Sequence, residues 1–576
     1  MNSYNSEFER WYGSNALTKD EKRELLTVKD DEKTKALFFS EPMSFGTAGL
    51  RSTMNLGVGG MNRFTVAHTT RGIAELVKAA DGAERGVVIA YDSRNHSELF
   101  AKVSASVLAS AGIKTYIFDG IRPTPELSFA VRELGTLAGI NITASHNPKE
   151  YNGYKAYWED GAQLGPEQAK IVSDARIKFD VLDVLGIDDF DKLQKNGDIT
   201  VLGSDFDEKY IDAVLSSVIS REEVRDVADE LKVVYTPLHG AGYKLVPEVF
   251  RRIGLKHLYT VDSQMIPDGN FPTVKKPNPE YADVFWEGIE IADSVGSDLI
   301  IATDPDSDRV GVMARDADGK FVTISGNQMG ALLLDYAIKQ RRALGTLMDN
   351  AYAIKSIVST DMAYKIAEVN GIKLHDVLTG FKFIGEVIKN YEQKGEAEGF
   401  VLGFEESYGY LLGTYARDKD AVEASAIILE MTAYYKKKNM TLCDALKNLY
   451  CTYGNYCEST IDIYMEGFDG IERRRRVMEG LRSNIPADIA GYKVKSVGDY
   501  LKGKFVEIST GMITSTNQPT SDVLYYTLEN DDKIIVRPSG TEPKIKIYVL
   551  AHDACQNELN GKIKKYSNAA RKMTEV

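Results

Sequence analysis

Cysteine is scarce in this chain. Its 576 residues hold four, Cys443, Cys451, Cys457 and Cys555. Their spacings match no zinc-ligand pattern, and so few in so long a chain exclude a disulfide-stapled fold and point to a reduced, cytoplasmic setting. Long apolar runs are missing too. None approaches the ~18 residues that a membrane-spanning helix needs. The first 23 residues are polar and charged, without the apolar core of a signal peptide. Positive charge is in deficit: 70 Lys and Arg stand against 84 Asp and Glu, a formal net charge of −14. That balance argues against nucleic acid or an anionic membrane as partner, and an anionic substrate would have to be met by a locally positive cleft. The expected partners are small molecules, with the chain a monomer or weak homodimer.

What is present describes a large α/β protein. Hydrophobic residues make up 43% and charged residues 27% of the chain, an ordinary globular balance. Its length exceeds what one core organises, so ~3–5 domains are expected. Residues 1–40 are charged and periodic, as in a helical leader. A strand pattern at 85–92 is followed by a helix pattern at 97–111 that stops at Gly112, then by strand patterns at 113–118 and 138–143. A second cycle begins near Asp207, with strands at 231–235 and 297–302 and a helix at 245–253. A third begins near Ser325, with a helix at 328–339 and a strand at 400–404. Such alternation predicts α/β layers with parallel pairing. Beyond about residue 455 the texture changes, and alternating patterns at 532–537 and 544–549 predict an antiparallel sheet. The expectation is three related α/β domains over 1–206, 207–322 and 323–455, and a smaller C-terminal α+β domain over 456–576.

Chemistry-bearing residues cluster where these strands end, which is where ligands sit in open α/β sheets. The apolar run 137–142 ends in Thr143-Ala144-Ser145-His146-Asn147-Pro148, and Lys155 follows. Neighbouring side chains are expected to diverge, so no Ser-His-Asp triad is read here. The alternative is that Ser145 carries a group, and that His146 and Lys155 serve whatever attacks or leaves it. The strand at 297–302 ends in Asp304, Asp306 and Asp308. Residues two apart in an extended segment point the same way, and Pro305 with the following turn would let three carboxylates converge on one point, where they repel and need a cation. Oxygen-only ligands favour magnesium, manganese or calcium over zinc, and magnesium keeps positions open for phosphate oxygens. A solvated acidic turn is the alternative. Glu405 and Ser407 end a third strand and could hold adjacent sugar hydroxyls. Arg537-Pro538-Ser539-Gly540-Thr541 follows the strand 534–536 and offers a guanidinium fork, two hydroxyls and glycine-permitted N–H groups, the parts of a phosphate cradle. No Walker lysine pattern accompanies it, which points to a phosphate monoester rather than a nucleotide. Ser44 to Arg51, with two glycines and an arginine, is either a further anion loop or a turn.

Taken together and in this order, the segments 143–148, 304–309, 403–407 and 537–541 resemble the α-D-phosphohexomutase superfamily across nearly the whole chain. The flanking segments 45–51, 380–382 and 417–421 resemble its phosphoglucomutase branch. The resemblance implies four domains around a central cleft, a phosphoserine at Ser145, and one magnesium ion on Asp304, Asp306, Asp308 and the Ser145 phosphoryl. It implies general acid–base roles for His146 and Lys155. Substrate contacts would come from Arg51, Arg309, Lys382, Glu405 and Ser407, and distal phosphate binding from Arg537, Ser539, Gly540 and Thr541. The implied activity interconverts glucose 1-phosphate and glucose 6-phosphate through glucose 1,6-bisphosphate, which is both intermediate and activator. Pentose and mannose phosphates remain alternative substrates. Gly403-Phe404-Glu405-Glu406-Ser407-Tyr408 differs from the Gly-Glu-Met-Ser loop expected of dual mannose/glucose enzymes, which disfavours mannose. A non-catalytic paralogue would have lost Ser145 or an aspartate, and neither is lost. A metal phosphatase using Ser145 would release phosphate without needing a bisphosphate.

Overall fold

Short, fully buried strands set the framework of the computed structural model, which describes residues 3–184, 186–187, 189–465, 468–540 and 544–575. The chain divides into two compact units. One holds residues 1–315, 321–323 and 409–438; the other holds 316–320, 324–408 and 439–576. Segment 409–438, inside the expected third domain, thus clusters with the first unit.

In the first unit, the expected leader is three short helices, Ser3–Gly13, Lys19–Thr27 and Glu32–Phe39. Thr18 and Glu21 form a reciprocal capping box at the second, and Asp31 caps the third, each satisfying backbone donors that a helix start leaves free. Trp11 is fully buried and meets Phe64 edge-on at 5.3 Å. A six-stranded sheet follows, built from β1 (Leu50–Thr53), β2 (Val87–Tyr91), β3 (Thr115–Phe118), β4 (Ala138–Ile142), β5 (Tyr151–Trp158) and β6 (Ile199–Leu202) in the order β1-β5-β4-β2-β3-β6. Strands β4, β2, β3 and β6 are parallel, as expected. The sheet as a whole is mixed, however, because β5 runs antiparallel to both β4 and β1. The reason is the link 143–150, shorter than the dozen or so residues a parallel crossover needs. That reversal brings Lys155, on β5, opposite Asn141 on β4.

The second sheet of this unit contains β7 (Lys232–Thr236), β8 (His257–Thr260), β9 (Leu299–Thr303) and β10 (Val310–Arg315). β7 pairs in parallel with β8 and β9, and β10 folds back antiparallel on β9. β9 is buried at every position, as a strand covered on both faces should be. Helix Ala421–Lys436 is also buried almost throughout. It is tied to this unit by Glu430, which accepts the Ile219 and Ser220 N–H groups at 2.9 Å.

In the second unit, strand Tyr352–Ser356 lies parallel to Lys373–Val377 and Phe400–Glu405, beside helix Gly326–Ala343 with its Ser325–Gln328 capping box. The C-terminal part is the expected antiparallel sheet, with Lys533–Pro538 between Leu524–Leu528 and Lys544–Asp553. The two sheets share a core in which Ile357, Val358 and Leu378 pack with Tyr525, Ile535 and Tyr548. No helix among the described residues is long and apolar enough to cross a membrane.

The β1–β5–β4 contact admits no side chain at its centre. A Cβ on Gly153 would fall 2.5 Å from the Thr143 carbonyl oxygen and 2.8 Å from that of Leu50. Gly153→Ala is expected to cost about 1–3 kcal/mol by overpacking, read as a lowered Tm. An unchanged Tm would show that this register is wrong.

Candidate active site

The loop after β4 is held by its backbone. Thr143 Oγ1 donates to Asp92 Oδ2 at 2.6 Å and accepts the Ser145 N–H at 2.7 Å. The Arg94 guanidinium donates to the carbonyls of Pro148 (2.9 Å) and Tyr151 (3.0 Å), and also to those of Ser145 and Asn147. Four carbonyls of one loop thus converge on one cation. Arg94 also pairs with Asp92 at 3.4 Å and lies 5.1 Å from the Phe271 ring centroid. Burial lowers its pKa to about 10, against the pull of Asp92. Arg51, on β1, donates to Asn147 Oδ1 at 3.1 Å, so the 44–51 segment also braces this loop. Gly49 is required there, since a Cβ would sit 1.9 Å from the Tyr154 carbonyl oxygen.

Ser145 takes a left-handed backbone, φ 51°, unusual for a residue with a side chain. That twist overturns the expectation that Ser145 and His146 diverge: Ser145 Oγ lies 3.1 Å from His146 Nδ1. The hydroxyl also donates to Asp304 Oδ2 at 2.6 Å, so its closest partner is an aspartate from the second sheet.

The three aspartates converge as expected, through the turn after Pro305. Ser307 is left-handed at φ 51° and donates its N–H to the Asp304 carbonyl at 2.9 Å. Asp304 Oδ1 accepts the N–H groups of Asp308 and Arg309, each at 3.1 Å. One carboxylate oxygen from each aspartate lies within 4.8 Å of the others. Lys155 Nζ bridges Asp306 Oδ2 (2.7 Å) and Asp308 Oδ2 (3.1 Å). Thr124 Oγ1 donates to Asp306 at 2.7 Å.

Electrostatics follow from this crowding. Burial, then Asp306 and Asp308, push the Asp304 carboxyl well above the usual carboxylate range. Burial acts the same way on Asp306, but Lys155 outweighs it and holds that carboxyl far below the range. The Lys155 ammonium is opposed by burial and favoured more strongly by Asp306 and Asp308, so its pKa rises. Asp306 Oδ1 and Asp308 Oδ1 are buried and accept no hydrogen bond. Buried lone pairs without donors are costly, and two of them beside a third carboxylate suit a hard divalent cation with oxygen ligands.

Lys419 joins this cluster without having been singled out from the sequence. Its Nζ lies 3.3 Å from Asp308 Oδ2 and 3.0 Å from Asp418 Oδ1. A lysine between two aspartates just before a helix was the available signal. Arg309, expected to contact substrate, directs its guanidinium to Glu280.

The second unit carries the remaining expected residues. Glu405 is buried and accepts the Gly380 N–H at 2.7 Å through Oε1. Lys382 opens helix Phe381–Glu392, and burial lowers its pKa. Ser407 is half-buried, next to Tyr408 at φ 66°. Arg537 Nη1 reaches Tyr548 Oη at 3.5 Å, and the Ser539 N–H donates to the Lys544 carbonyl at 2.9 Å. Gly540 is exposed, with open space where a Cβ would be. Thr541 lies outside the described residues. The 405–407 and 537–540 segments act on a common group. Burial and Glu405 raise the Glu406 carboxyl, while Lys546 and Arg537 pull it down. Ser356 Oγ donates to Glu406 at 3.1 Å.

Three family models match the chain, described as phosphoglucomutase/phosphomannomutase alpha/beta/alpha domains I, II and III, over residues 42–178, 208–319 and 325–453. A phosphoglucomutase of Staphylococcus aureus (strain USA300) is 38% identical over 511 residues, covering 89% of this chain and 90% of its own. Among solved structures, parafusin (a phosphoglucomutase) from Paramecium, in its open form, aligns over 92% of this chain and 94% of its own, with TM-score 0.69 and 18% identity. A phosphoglucomutase/phosphomannomutase family protein from Burkholderia thailandensis covers 92% and 97%, with TM-score 0.65 and 19% identity.

Replacing Arg94 by methionine would release four carbonyls and leave Asp92 buried without its cation. The expected cost is about 3–5 kcal/mol, measured by denaturant unfolding. Faster amide exchange confined to residues 144–151 should accompany it. Wild-type stability in Arg94→Met would refute this account of the loop.

Proposed function

The chain belongs to the phosphoglucomutase/phosphomannomutase family and is an isomerase that interconverts glucose phosphates, and from that premise we propose that it moves the phosphoryl group by way of Ser145. The observation that carries the proposal is the Ser145 hydroxyl, 2.6 Å from Asp304 in a buried cluster with Asp306, Asp308 and Lys155. Three carboxylates would repel an anionic phosphoryl group unless cations intervene. Asp304, Asp306 and Asp308, with a phosphoryl oxygen on Ser145, would hold magnesium, which when bound supplies positive charge to the group in transfer. The chain's own contribution is the Lys155 ammonium and, beside it, Lys419.

In the proposed cycle Ser145 starts as a phosphoserine. The free hydroxyl of the sugar monophosphate attacks phosphorus, the bond to Ser145 Oγ breaks, and glucose 1,6-bisphosphate forms. His146, 3.1 Å from Ser145 Oγ, takes the hydroxyl proton while the Lys155 ammonium serves as the acid for the departing serine oxygen, and the two exchange roles in the return step. The bisphosphate then presents its other phosphate, Ser145 Oγ loses its proton and attacks that phosphorus, the sugar O–P bond breaks, and the released sugar oxygen takes up a proton. Arg94 holds the loop so that Ser145 Oγ need not reorganise between steps. Glu405 and Ser407 hold the sugar; Arg537, Ser539, Gly540 and Thr541 hold the phosphate that is not reacting. Arg51, Arg309 and Lys382 are the remaining contacts. Glucose 1,6-bisphosphate restores any enzyme that loses its phosphate.

Ser145→Ala should lower mutase turnover by about 10⁴-fold or more while leaving the Tm unchanged. Intact mass should show one phosphate on the wild type after incubation with glucose 1,6-bisphosphate, and its absence would sink the phosphoserine route. A chelator should abolish activity and added magnesium restore it; full activity after exhaustive chelation would remove the metal from the scheme. Compared side by side, glucose 1-phosphate should give a higher kcat/KM than ribose 1-phosphate or mannose 1-phosphate. A higher value for ribose 1-phosphate would keep the route and change the substrate to a pentose.

A further inference from the structure

A cavity of about 680 Å³ lies between the first helix, the 39–45 segment and helices Arg63–Ala79 and Pro166–Arg176. None of its lining residues belongs to the Ser145 or aspartate loops. Part of the wall is apolar, from Phe39, Met43, Phe45 and Val58, and part is polar, from His68 and Arg176. Glu7, Arg10, Lys178 and Asp180 also line it. The cations around it fall into two kinds. Arg10 pairs with Glu7 at 2.8 Å and with Asp180, and Arg71 pairs with Asp183 at 3.4 Å. Arg176 enters no ion pair among the described residues. It is 6% exposed, its Nε is buried without an acceptor, and its one hydrogen bond is a long one from Nη2 to the Met43 carbonyl at 3.3 Å.

Local packing builds this arrangement. A Cβ on Gly72 would lie 2.9 Å from Arg176 Cγ and 2.8 Å from the Val172 carbonyl oxygen, so the glycine admits the arginine stem between the two helices. His68 Nε2 lies 2.7 Å from the Arg176 carbonyl oxygen and 3.1 Å from that of Phe179. Both partners are acceptors, so Nε2 is the protonated nitrogen and His68 brings no negative charge. Burial and the nearby Arg176 keep the ring neutral by lowering its pKa. In a chain of net charge −14, a guanidinium removed from water with no carboxylate beside it is an anomaly. Desolvating such a charge is expensive unless a counter-charge arrives.

We propose that this cavity binds a small anion, a carboxylate or phosphate monoester on a compact apolar body, with Arg176 as its anchor. Arg176 Nε is itself closed to solvent, so a planar or tetrahedral oxyanion would accept from the Nη groups of the guanidinium. The apolar wall takes the body of the molecule, and the volume lies in the range of small-molecule sites.

The test uses 4-fluorobenzoate and 4-fluorophenyl phosphate as probes, followed by fluorine NMR line broadening on the full-length protein. Saturable binding of at least one is expected, and which one binds identifies the head group. Binding should persist in excess glucose 1-phosphate and in Ser145→Ala, which separates it from the site of phosphoryl transfer. Arg176→Gln should weaken it at least tenfold, about 1.4 kcal/mol. Ser173→Trp, which fills the cavity from its wall and leaves Arg176 in place, should abolish it and decides the matter if Arg176→Gln does not fold. No saturable binding of either probe, equal binding in wild type and Ser173→Trp, or displacement by glucose 1-phosphate would each overturn the proposal.

Discussion

Buried negative charge is the constraint on which the first unit is built. Asp304, Asp306 and Asp308 are within 2% of full burial, and three carboxylates so close together cannot all be ionised without compensation. Lys155 supplies part of it from β5, and Lys419 adds to it from the turn before helix Ala421–Lys436. The two lysines come from segments more than 260 residues apart in the chain. The antiparallel return of β5, the turn at Ser307 and the attachment of segment 409–438 to this unit all serve that convergence. The carboxylate oxygens still without donors mark where a further cation fits.

Backbone strain accompanies the chemistry. Ser145, Ser307 and Tyr408 each follow a buried strand and each adopt a left-handed backbone that glycine would accept more readily. Side-chain-bearing residues persist in such conformations only where the surroundings over-determine them. For Ser145 those surroundings are Arg94, Thr143 and Asp92, and for Ser307 they are the N–H groups folded over Asp304. The twist at Ser145 turns the hydroxyl toward His146 and Asp304 at once, which an extended backbone would not allow.

The two units divide the recognised motifs unevenly. The first holds the serine, the aspartates and their lysines. The second holds the loops of 405–407 and 537–540, where Glu406 is acted on by Arg537 and Lys546. Several buried polar atoms in both units lack a hydrogen-bond partner, and those that crowd together or line a cavity are informative. At Asp306 and Asp308 the atom is an unfilled acceptor and points to a cation. At Arg176 it is an unfilled donor and points to an anion. The same rule, that burial demands a partner, reads both.

Much of this was legible in the sequence. Parallel strands buried on both faces appear as continuous apolar runs, so β2, β4, β7 and β9 and the strand Phe400–Glu405 could be marked within a residue or two, and strand ends named the loops that carry chemistry. The convergence of Asp304, Asp306 and Asp308 followed from residue type and position. What tertiary structure decided was direction and partnership. The reversal of β5, the approach of His146 to Ser145, and the arrival of Arg94 and Lys419 all depend on backbone dihedrals or on contacts between distant segments. Linear patterns encode burial and period, which are local properties. They do not encode which charged groups will share one low-dielectric space, because that is set by how separate elements pack against each other.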